Sequence, residues 1–361
     1  MNTSFALRTL PSALLSLGLC ACASGGTIEP VAGTVSIGAV RETIAVKTHD
    51  DAADDPAIWR NAADPSSSLI VATDKKAGLY VYGLDGQVRD FAPSSRLNNV
   101  DLRGDVKIAG VETVLVAASD RADEAHSRLA LYALSPQTAK LTELANLPAG
   151  NGEAYGLCLY RRANDRALFA FVVEKSGRII QLQVDVSAAQ PAASVVRELQ
   201  LASQSEGCVV DDRTGMLYVG EEDVGIWRFD ASPTGATRGE LFAKVDKRML
   251  VDDVEGLALA PVGERGGYLV ASSQGDSSYA VYALEDGAPV GRFRITDNGK
   301  GVDGTSETDG IELALGDFGP DFPQGLFIAQ DGDNAPEAQN FKLLSWVDVV
   351  QGLRLEMEPA R

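Results

Sequence analysis

The sequence is poor in the side chains on which many hydrolytic sites depend. Its 361 residues include only two histidines, His49 and His126, and four cysteines. Neither histidine lies at a metal-ligand spacing from a cysteine, which argues against a zinc site. No histidine-phosphatase motif and no P-loop occur, and Cys208 to Arg213 is one residue too short for a cysteine-phosphatase loop. These absences exclude the common covalent phosphatase chemistries.

Positive charge is also scarce, since 32 lysines and arginines face 51 aspartates and glutamates and the formal net charge is −19. An acidic surface of this kind repels nucleic acid and needs clustered cations to hold an anionic ligand. Much of the negative charge serves solubility. We therefore expect no nucleic-acid partner, and any local group of lysines and arginines becomes informative.

The N-terminal apolar run has the pattern of a targeting segment. Residues 1–21 carry Arg8 as their one charge, then LPSALLSLGL and an L-C-A-C motif that ends at Cys22. The run is too short to span a membrane. It predicts a lipoprotein signal peptide with the lipid on Cys22 and a flexible tether over residues 22–34, and the alternative is ordinary secretory cleavage near Ala23. We therefore expect an exported bacterial protein that is lipid-anchored to a membrane, or secreted if the lipid site is not used.

The other two cysteines lie at matching places in neighbouring strands. Cys158 belongs to GLCLY and Cys208 to EGCVV, whereas Cys20 and Cys22 belong to the signal. The matching places allow a disulfide between the two strands, and packed free thiols are the alternative.

Strand-forming segments recur about every 50 residues along the chain. The clearest copy is Ser205–Phe229, in which SEGCVV and MLYVG read as strands, DDRTG as a turn and IWRF as the start of a third strand. Similar openings stand in six places, at Asp55, Asp101, Tyr155, Glu206, Glu255 and Asp309.

Six antiparallel units without long helices between them predict an all-β fold, a six-bladed β-propeller over residues 35–361. A single large β-sandwich is the alternative. The segment 35–46, VSIGAVRETIAV, is expected to complete the last blade and so to close the ring.

Equivalent positions in the repeats separate the two signs of charge. We expect the ends of the second strands to lie on one rim around the channel. Units one to three carry cations there, namely Lys75 with Lys76, Arg121 and Lys175. Units four to six carry acidic or amide side chains there, namely Glu221 with Glu222, Gln274 and Asp331. One half of the rim is therefore predicted to be cationic and the other half acidic.

The openings of the first strands add further oxygen donors to the channel mouth. They are Asp54, Asp55, Asn99, Asp101, Glu206, Asp253, Glu255, Asp303 and Asp309. So many crowded carboxylates must either be protonated in part or hold metal. Ligand sets made only of oxygen select Ca²⁺ or Mg²⁺, and many carboxylates in a flexible geometry favour Ca²⁺.

A half-ring of lysine and arginine facing such carboxylates suits a ligand with many anionic oxygens. Phosphate esters fit best, because arginine offers paired donors and lysine a point charge. Water activated by the metal would attack, and the cations would neutralise the phosphoryl group. A sulfate ester or a sugar lactone is the alternative substrate for the same chemistry.

Eight ordered motifs resemble those of the β-propeller phytases. They are DDPAIW, ATDKKAGLYVY, RLNNVDLR, EGCVVDD with LYVGEEDVGIW, DVEGLAL, YLVASSQGDSSYAVY, DGTSETDGIE and GLFIAQDG with QNFKLLSW. The resemblance covers about residues 40–346. It implies a six-bladed propeller, stabilised and activated by several Ca²⁺ ions. It also implies hydrolysis of phytate (myo-inositol hexakisphosphate), preferably as calcium phytate, to lower inositol phosphates and phosphate.

The same resemblance implies roles for individual residues. Phosphate binding and catalysis would fall to Lys75, Lys76, Arg121, Tyr155, Lys175 and Glu206. Calcium near the cleaved phosphate would be held by Glu42, Asp54, Glu206, Glu222, Asp253, Glu255, Gln274 and Asp303. Further, more structural calcium would be held by Asp55, Asp331 and Asn334.

Two other functions fit part of the sequence. A calcium-dependent lactonase would need one central calcium and no cationic half-rim. A non-enzymatic propeller would use calcium only to hold its blades together and would bind a phosphorylated ligand without turnover. We expect a monomer whose partner is the small-molecule substrate.

Overall fold

Six sheets of four or five strands make up the molecule in the computed structural model, which describes Met1 and residues 31–356. Among these residues, all strand pairs are antiparallel except one, at the outer edge of the five-stranded sheet. The predicted six-bladed β-propeller is confirmed. The predicted signal peptide, Cys22 and the first part of the tether lie outside the described residues. Within those residues, no helix is long and apolar enough to cross a membrane.

The strands follow one another along the chain from the centre of each blade outwards. Two short strands come first, β1 (Val35–Gly38) and β2 (Arg41–Glu42). Blade 1 contains β3 (Ala53–Trp59), β4 (Leu69–Asp74), β5 (Gly78–Gly83) and β6 (Val88–Pro93). Blade 2 contains β7 (Leu97–Ile108), β8 (Val111–Asp120), β9 (Arg128–Ser135) and β10 (Lys140–Pro148). Blade 3 contains β11 (Ala154–Arg161), β12 (Leu168–Glu174), β13 (Arg178–Asp185) and β14 (Ala192–Gln200).

The second half of the ring repeats this order. Blade 4 contains β15 (Ser205–Asp211), β16 (Met216–Glu221), β17 (Gly225–Asp230) and β18 (Glu240–Lys244). Blade 5 contains β19 (Val254–Val262), β20 (Gly266–Ser273), β21 (Ser278–Ala283) and β22 (Pro289–Thr296). Blade 6 contains β23 (Ile311–Leu315), β24 (Gly325–Asp331) and β25 (Asn340–Ser345), and helix α1 (Trp346–Leu353) follows. The first strands of successive blades contact one another, and β23 contacts β3, so the ring is closed.

Hydrophobic packing lies between the blades. Each of six buried apolar clusters joins two adjacent blades, as where Val71 and Leu79 of blade 1 pack with Leu97 and Val116 of blade 2. Middle strands are therefore buried on both faces and read as almost continuous apolar runs, such as LIVATD in β4. Outer strands such as β6 are exposed or half-buried along their whole length.

The N-terminal segment closes the ring differently from the prediction that residues 35–46 complete the last blade. Only Arg41 and Glu42 of β2 join blade 6, where they pair with β25 in antiparallel register. Strand β1 instead pairs in parallel with β22 as the fifth, outermost strand of blade 5. The segment therefore bridges two blades, and helix α1 packs against β1 beside it.

Glycines allow the inner strands to approach closely around the channel. A Cβ atom on Gly156 would lie 1.8 Å from the carbonyl oxygen of Glu206, and one on Gly207 would lie 2.1 Å from that of Glu255. No side chain fits in such gaps. Gly156 and Gly207 therefore mark the places where one inner strand contacts the next.

A disulfide crosslinks two of these inner strands. Cys158 of β11 bonds Cys208 of β15, and their Cα atoms lie 5.7 Å apart. Both cysteines are buried in the apolar cluster between blades 3 and 4. Of the two alternatives left open by the sequence, the structure forms the disulfide and not the free thiols.

Candidate active site

The site side chains project from β-bulges at the channel end of the inner strands. In blades 1 to 5 the pairing of first and second strand shifts register at the same place. Bulges of this kind redirect a side chain, and they are common beside active sites. The redirected position holds Asp54, Asn98, Tyr155, Glu206 and Glu255, with Asp309 just before β23 in blade 6.

This register corrects the sequence alignment in the first two blades. The sequence pattern puts Asp55 and Asp101 at the repeated position, whereas the structure places Asp54 and Asn98 there. Asp55 instead lines a narrow part of the channel and accepts the Val100 N–H at 2.9 Å. Asp331 and Asn334, which the resemblance also assigns to structural calcium, do not line that part of the channel.

The rim residues occupy equivalent positions, as the backbone hydrogen bonds show. Lys75, Arg121, Lys175, Glu222 and Gln274 each donate their N–H to the residue just before the first strand of the same blade. The cationic and acidic halves of the predicted rim therefore follow one another around the channel.

Glu221 and Asp331 do not belong to this rim set. Each is the last residue of its second strand, one position before the rim, and a shift of one residue turns a side chain to the other face. Glu221 is buried and accepts the Trp227 indole N–H at 2.7 Å. In blade 6 the rim position is Gly332, whose N–H bonds the Ser306 carbonyl.

A cavity of about 840 Å³ opens at this end of the channel. Eight of the predicted site residues line it, namely Lys75, Tyr155, Glu206, Glu222, Asp253, Glu255, Gln274 and Asn334. Asp309 also lines it, and so do the loop residues His49 and Asp51. The structure thus brings a lysine, a phenol and many carboxylates to one space.

Glu206, Glu222 and Glu255 form the acidic centre of the cavity. One carboxylate oxygen from each lies within 4.8 Å of the others, and all three side chains are buried. Burial and neighbouring carboxylates raise the pKa of each, well above the usual range for Glu206 and Glu255. Burial also raises the pKa of Asp253. A cation at this centre would favour the ionised forms.

Lys75 is held among the carboxylates of blades 1 and 6. Its ammonium lies 3.2 Å from Asp54, 3.0 Å from Asp309 and 2.6 Å from Asp51. Burial alone would lower the pKa of Lys75, but these carboxylates raise it overall. Burial raises the pKa of Asp309 to about 7, although Lys75 opposes this. Gln274 completes the contact by donating to Asp309 at 2.5 Å.

Tyr155 lies between two cations of the rim. The Arg121 guanidinium is 5.2 Å from the centre of its ring and the Lys175 ammonium is 4.9 Å away. Arg121 is further held by Glu153 at 2.8 Å and by the Asn98 side-chain carbonyl at 2.6 Å. Burial and the charges of Glu206 and Glu255 raise the pKa of Tyr155, so its phenol stays protonated.

Lys76 lies on the exposed side of the same rim. Its ammonium donates to the His49 carbonyl at 3.2 Å, and it does not line the cavity. Of the predicted phosphate-binding residues, it lies farthest towards solvent.

A second group of oxygen donors surrounds the ammonium of Lys342. Lys342 contacts Glu42 and Asp303, lies 3.2 Å from Asp331 and 3.4 Å from Asn334, and is fully buried. The resemblance assigns Glu42 and Asp303 to calcium near the cleaved phosphate, but the structure groups them with Asp331 and Asn334. Burial raises the pKa of Asp331 to about 6, against the lowering effect of Lys342.

Sequence reasoning misses two residues of these groups. Lys342 lies in an apolar strand segment, NFKLLS, which reads as core. Asn98 is missed because nearby acidic residues are more typical metal ligands. The pair Asn98–Asn99 in an inner strand does indicate a polar role, since inner strands are otherwise mostly apolar.

Comparisons with known proteins identify the family of the chain. The family model described as Phytase matches residues 3–359. The chain is 41% identical over 324 residues to the 3-phytase of Bacillus subtilis (strain 168), covering 86% of this chain and 84% of that protein. A chain of the solved structure titled "Crystal Structure of Mitotic Checkpoint Complex" aligns over 97% of this chain and 87% of its own length. That alignment has a TM-score of 0.48 and 15% identity, which supports no conclusion about function. On the family match and the curated relative, the chain belongs to the phytase family.

Proposed function

We propose that this protein is a calcium-dependent phytase. It hydrolyses phosphomonoesters of myo-inositol hexakisphosphate, presented as calcium phytate, to lower inositol phosphates and phosphate. The observation that supports this most strongly is the cavity itself, in which Lys75 and Tyr155 meet carboxylates from blades 4 to 6. The cations Arg121 and Lys175 of blades 2 and 3 lie beside the Tyr155 ring. A ligand that carries many phosphates and is itself bound to calcium matches both halves.

The carboxylates of the cavity fit calcium. Within the described part of the chain, Asp54 Oδ2, Glu222 Oε1 and Glu255 Oε2 are buried and find no hydrogen-bond partner. Unpaired buried carboxylate oxygens are costly, and a hard cation would satisfy them. Residues that would hold calcium here are Asp54, Glu206, Glu222, Asp253, Glu255 and Gln274. Bound calcium would supply positive charge for the phosphoryl oxygens and would lower the pKa of the attacking water.

The group around Lys342 fits calcium for a different reason. Glu42, Asp303 and Asp331 bring three carboxylates to one ammonium, so two negative charges stay unmatched when all are ionised. One divalent cation would balance them, and the Asn334 carbonyl adds a neutral ligand. The role of calcium here would be structural, because β2 carries Glu42 and closes blade 6.

The side chains of the cationic half bind and orient the substrate. Arg121 presents paired donors to a phosphate, and Lys175 and Lys76 add point charges beside it. The protonated phenol of Tyr155 donates a hydrogen bond to a phosphoryl oxygen. Lys75 lies nearest the carboxylates and neutralises charge on the phosphoryl group as water replaces the inositol oxygen. The reaction consumes one water and releases one phosphate and one inositol hydroxyl.

Phosphate release from phytate tests this function directly. The purified protein with added Ca²⁺ should release phosphate, and a chelator should abolish the release. Arg121→Ala should lower turnover strongly without unfolding the protein, whereas Arg89→Ala, on the exposed outer strand of blade 1, should not. No phosphate release with Ca²⁺ present would refute the proposal. Activity on lactones alone would favour a lactonase, and tight phytate binding without turnover would favour a binding protein.

We also propose that the protein is exported and anchored by a lipid on Cys22, ahead of a propeller domain that acts as a monomer. The support is the N-terminal sequence pattern alone. Labelling cells with a radioactive fatty acid should mark the protein, and Cys22→Ala should abolish the label. An unlabelled wild-type protein would favour secretion instead.

A further inference from the structure

The side chain of Asn98 connects the two halves of the site. Asn98 occupies in blade 2 the bulge position that holds Asp54, Tyr155, Glu206 and Glu255 in other blades. It is 1% exposed, so its amide depends on protein partners. A polar side chain at this position points towards the cavity group and not into an apolar core.

Its amide uses both of its ends. The carbonyl oxygen accepts a hydrogen bond from Arg121 Nη1 at 2.6 Å. The nitrogen donates to Glu206 Oε1 at 2.7 Å. One carboxamide therefore fixes a guanidinium of the cationic half and a carboxylate of the acidic half.

Only an amide can make this pair of contacts at this position. An aspartate would accept from Arg121 but could not donate to Glu206, and it would repel that carboxylate. An apolar residue would remove one hydrogen bond from the guanidinium of Arg121 and one from the buried carboxylate of Glu206.

We propose that Asn98 is a positioning residue of the proposed phytase reaction, on which this inference rests. It sets the orientation of Arg121 towards phosphate and of Glu206 towards metal, and it touches neither substrate nor metal itself. Binding of phytate and binding of calcium are thereby coupled through one side chain.

The test measures both binding events by calorimetry in the full chain, with turnover alongside. We expect Asn98→Ala to weaken calcium binding without substrate, and phytate binding at saturating calcium, by about tenfold each. A charge-assisted hydrogen bond of about 1.5–3 kcal/mol corresponds to at least that factor. Asn146→Ala is the matched control, because Asn146 hydrogen-bonds Arg128 and Asp120 away from the cavity.

A double-mutant cycle separates positioning from general loss of structure. If Asn98 acts through Arg121, Asn98→Ala should weaken phytate binding less than twofold when Arg121 is already alanine. Unchanged calcium affinity in Asn98→Ala, or an equal loss of phytate affinity in both backgrounds, would overturn the inference. A wild-type protein that binds phytate but releases no phosphate would instead refute the proposed function, and the binding measurements would still decide the role of Asn98.

Discussion

Replacing Lys342 by methionine should destabilise the protein strongly unless calcium is present. Methionine keeps an unbranched side chain of similar length but removes the ammonium. Lys342 has no exposed surface and Asp331 is 1% exposed, so the change leaves a buried carboxylate without its cation. Removing one partner of a buried ion pair costs about 3–5 kcal/mol. For a chain of this size that lowers the melting temperature by about 4–7 °C.

Calorimetric melting in a chelator measures this loss. Lys107→Met is the control, because Lys107 lies exposed on β7. Added Ca²⁺ should restore much of the stability of Lys342→Met, since Glu42, Asp303, Asp331 and Asn334 then offer oxygen ligands without a competing ammonium. A variant that melts within 2 °C of the wild type in chelator, on the order of 1 kcal/mol or less, would refute this account of the cluster.

Three further predictions concern the rest of the ring. Without calcium, the melting temperature should fall as the pH rises from about 5 to 8. Burial raises the pKa of Asp309 to about 7, so over this pH range the folded chain binds more protons than the unfolded chain. A melting temperature that rises with pH would contradict this prediction. Changing Cys158 and Cys208 together to serine should cost about 4 kcal/mol for a closed loop of 50 residues, and reductant should no longer shift the melting curve of that variant. Gly156→Ala should destabilise the protein by about 1–3 kcal/mol, because the new Cβ would lie 1.8 Å from a carbonyl oxygen. Gly104→Ala is the control, because its Cβ would meet nothing closer than 3.5 Å. If both variants lose the same stability in urea unfolding, crowding by the Cβ is not the cause.

The repeat makes much of this fold and site predictable. Because each blade is one copy of the same unit, the residue pattern alone aligns Lys75, Arg121 and Lys175 at one rim. The division of the rim into a cationic half and an acidic half follows from that alignment. The family resemblance then supplies the calcium ligands that the charges alone leave unassigned.

The errors arise where one residue of register decides which way a side chain points. A bulge in β3 turns Asp54 towards Lys75, and one in β7 turns Asn98 towards Arg121 and Glu206. Sequence periodicity does not show where a bulge falls. The prediction misplaces Asp331 for the same reason, at the end of β24. Lys342 cannot be found from the pattern, since a buried lysine is stable only through partners distant in sequence.

The path of β1 has a consequence for engineering the chain. Strand β1 forms the outer edge of blade 5, and a Cβ on Gly352 in helix α1 would lie 3.1 Å from Val35. The first strand and the C-terminal helix are thus neighbours on the perimeter. A short linker could join them, and new ends could be opened in a loop elsewhere. A domain joined directly to β1 or to α1 would therefore be attached at the perimeter of the ring and not at the mouth of the channel.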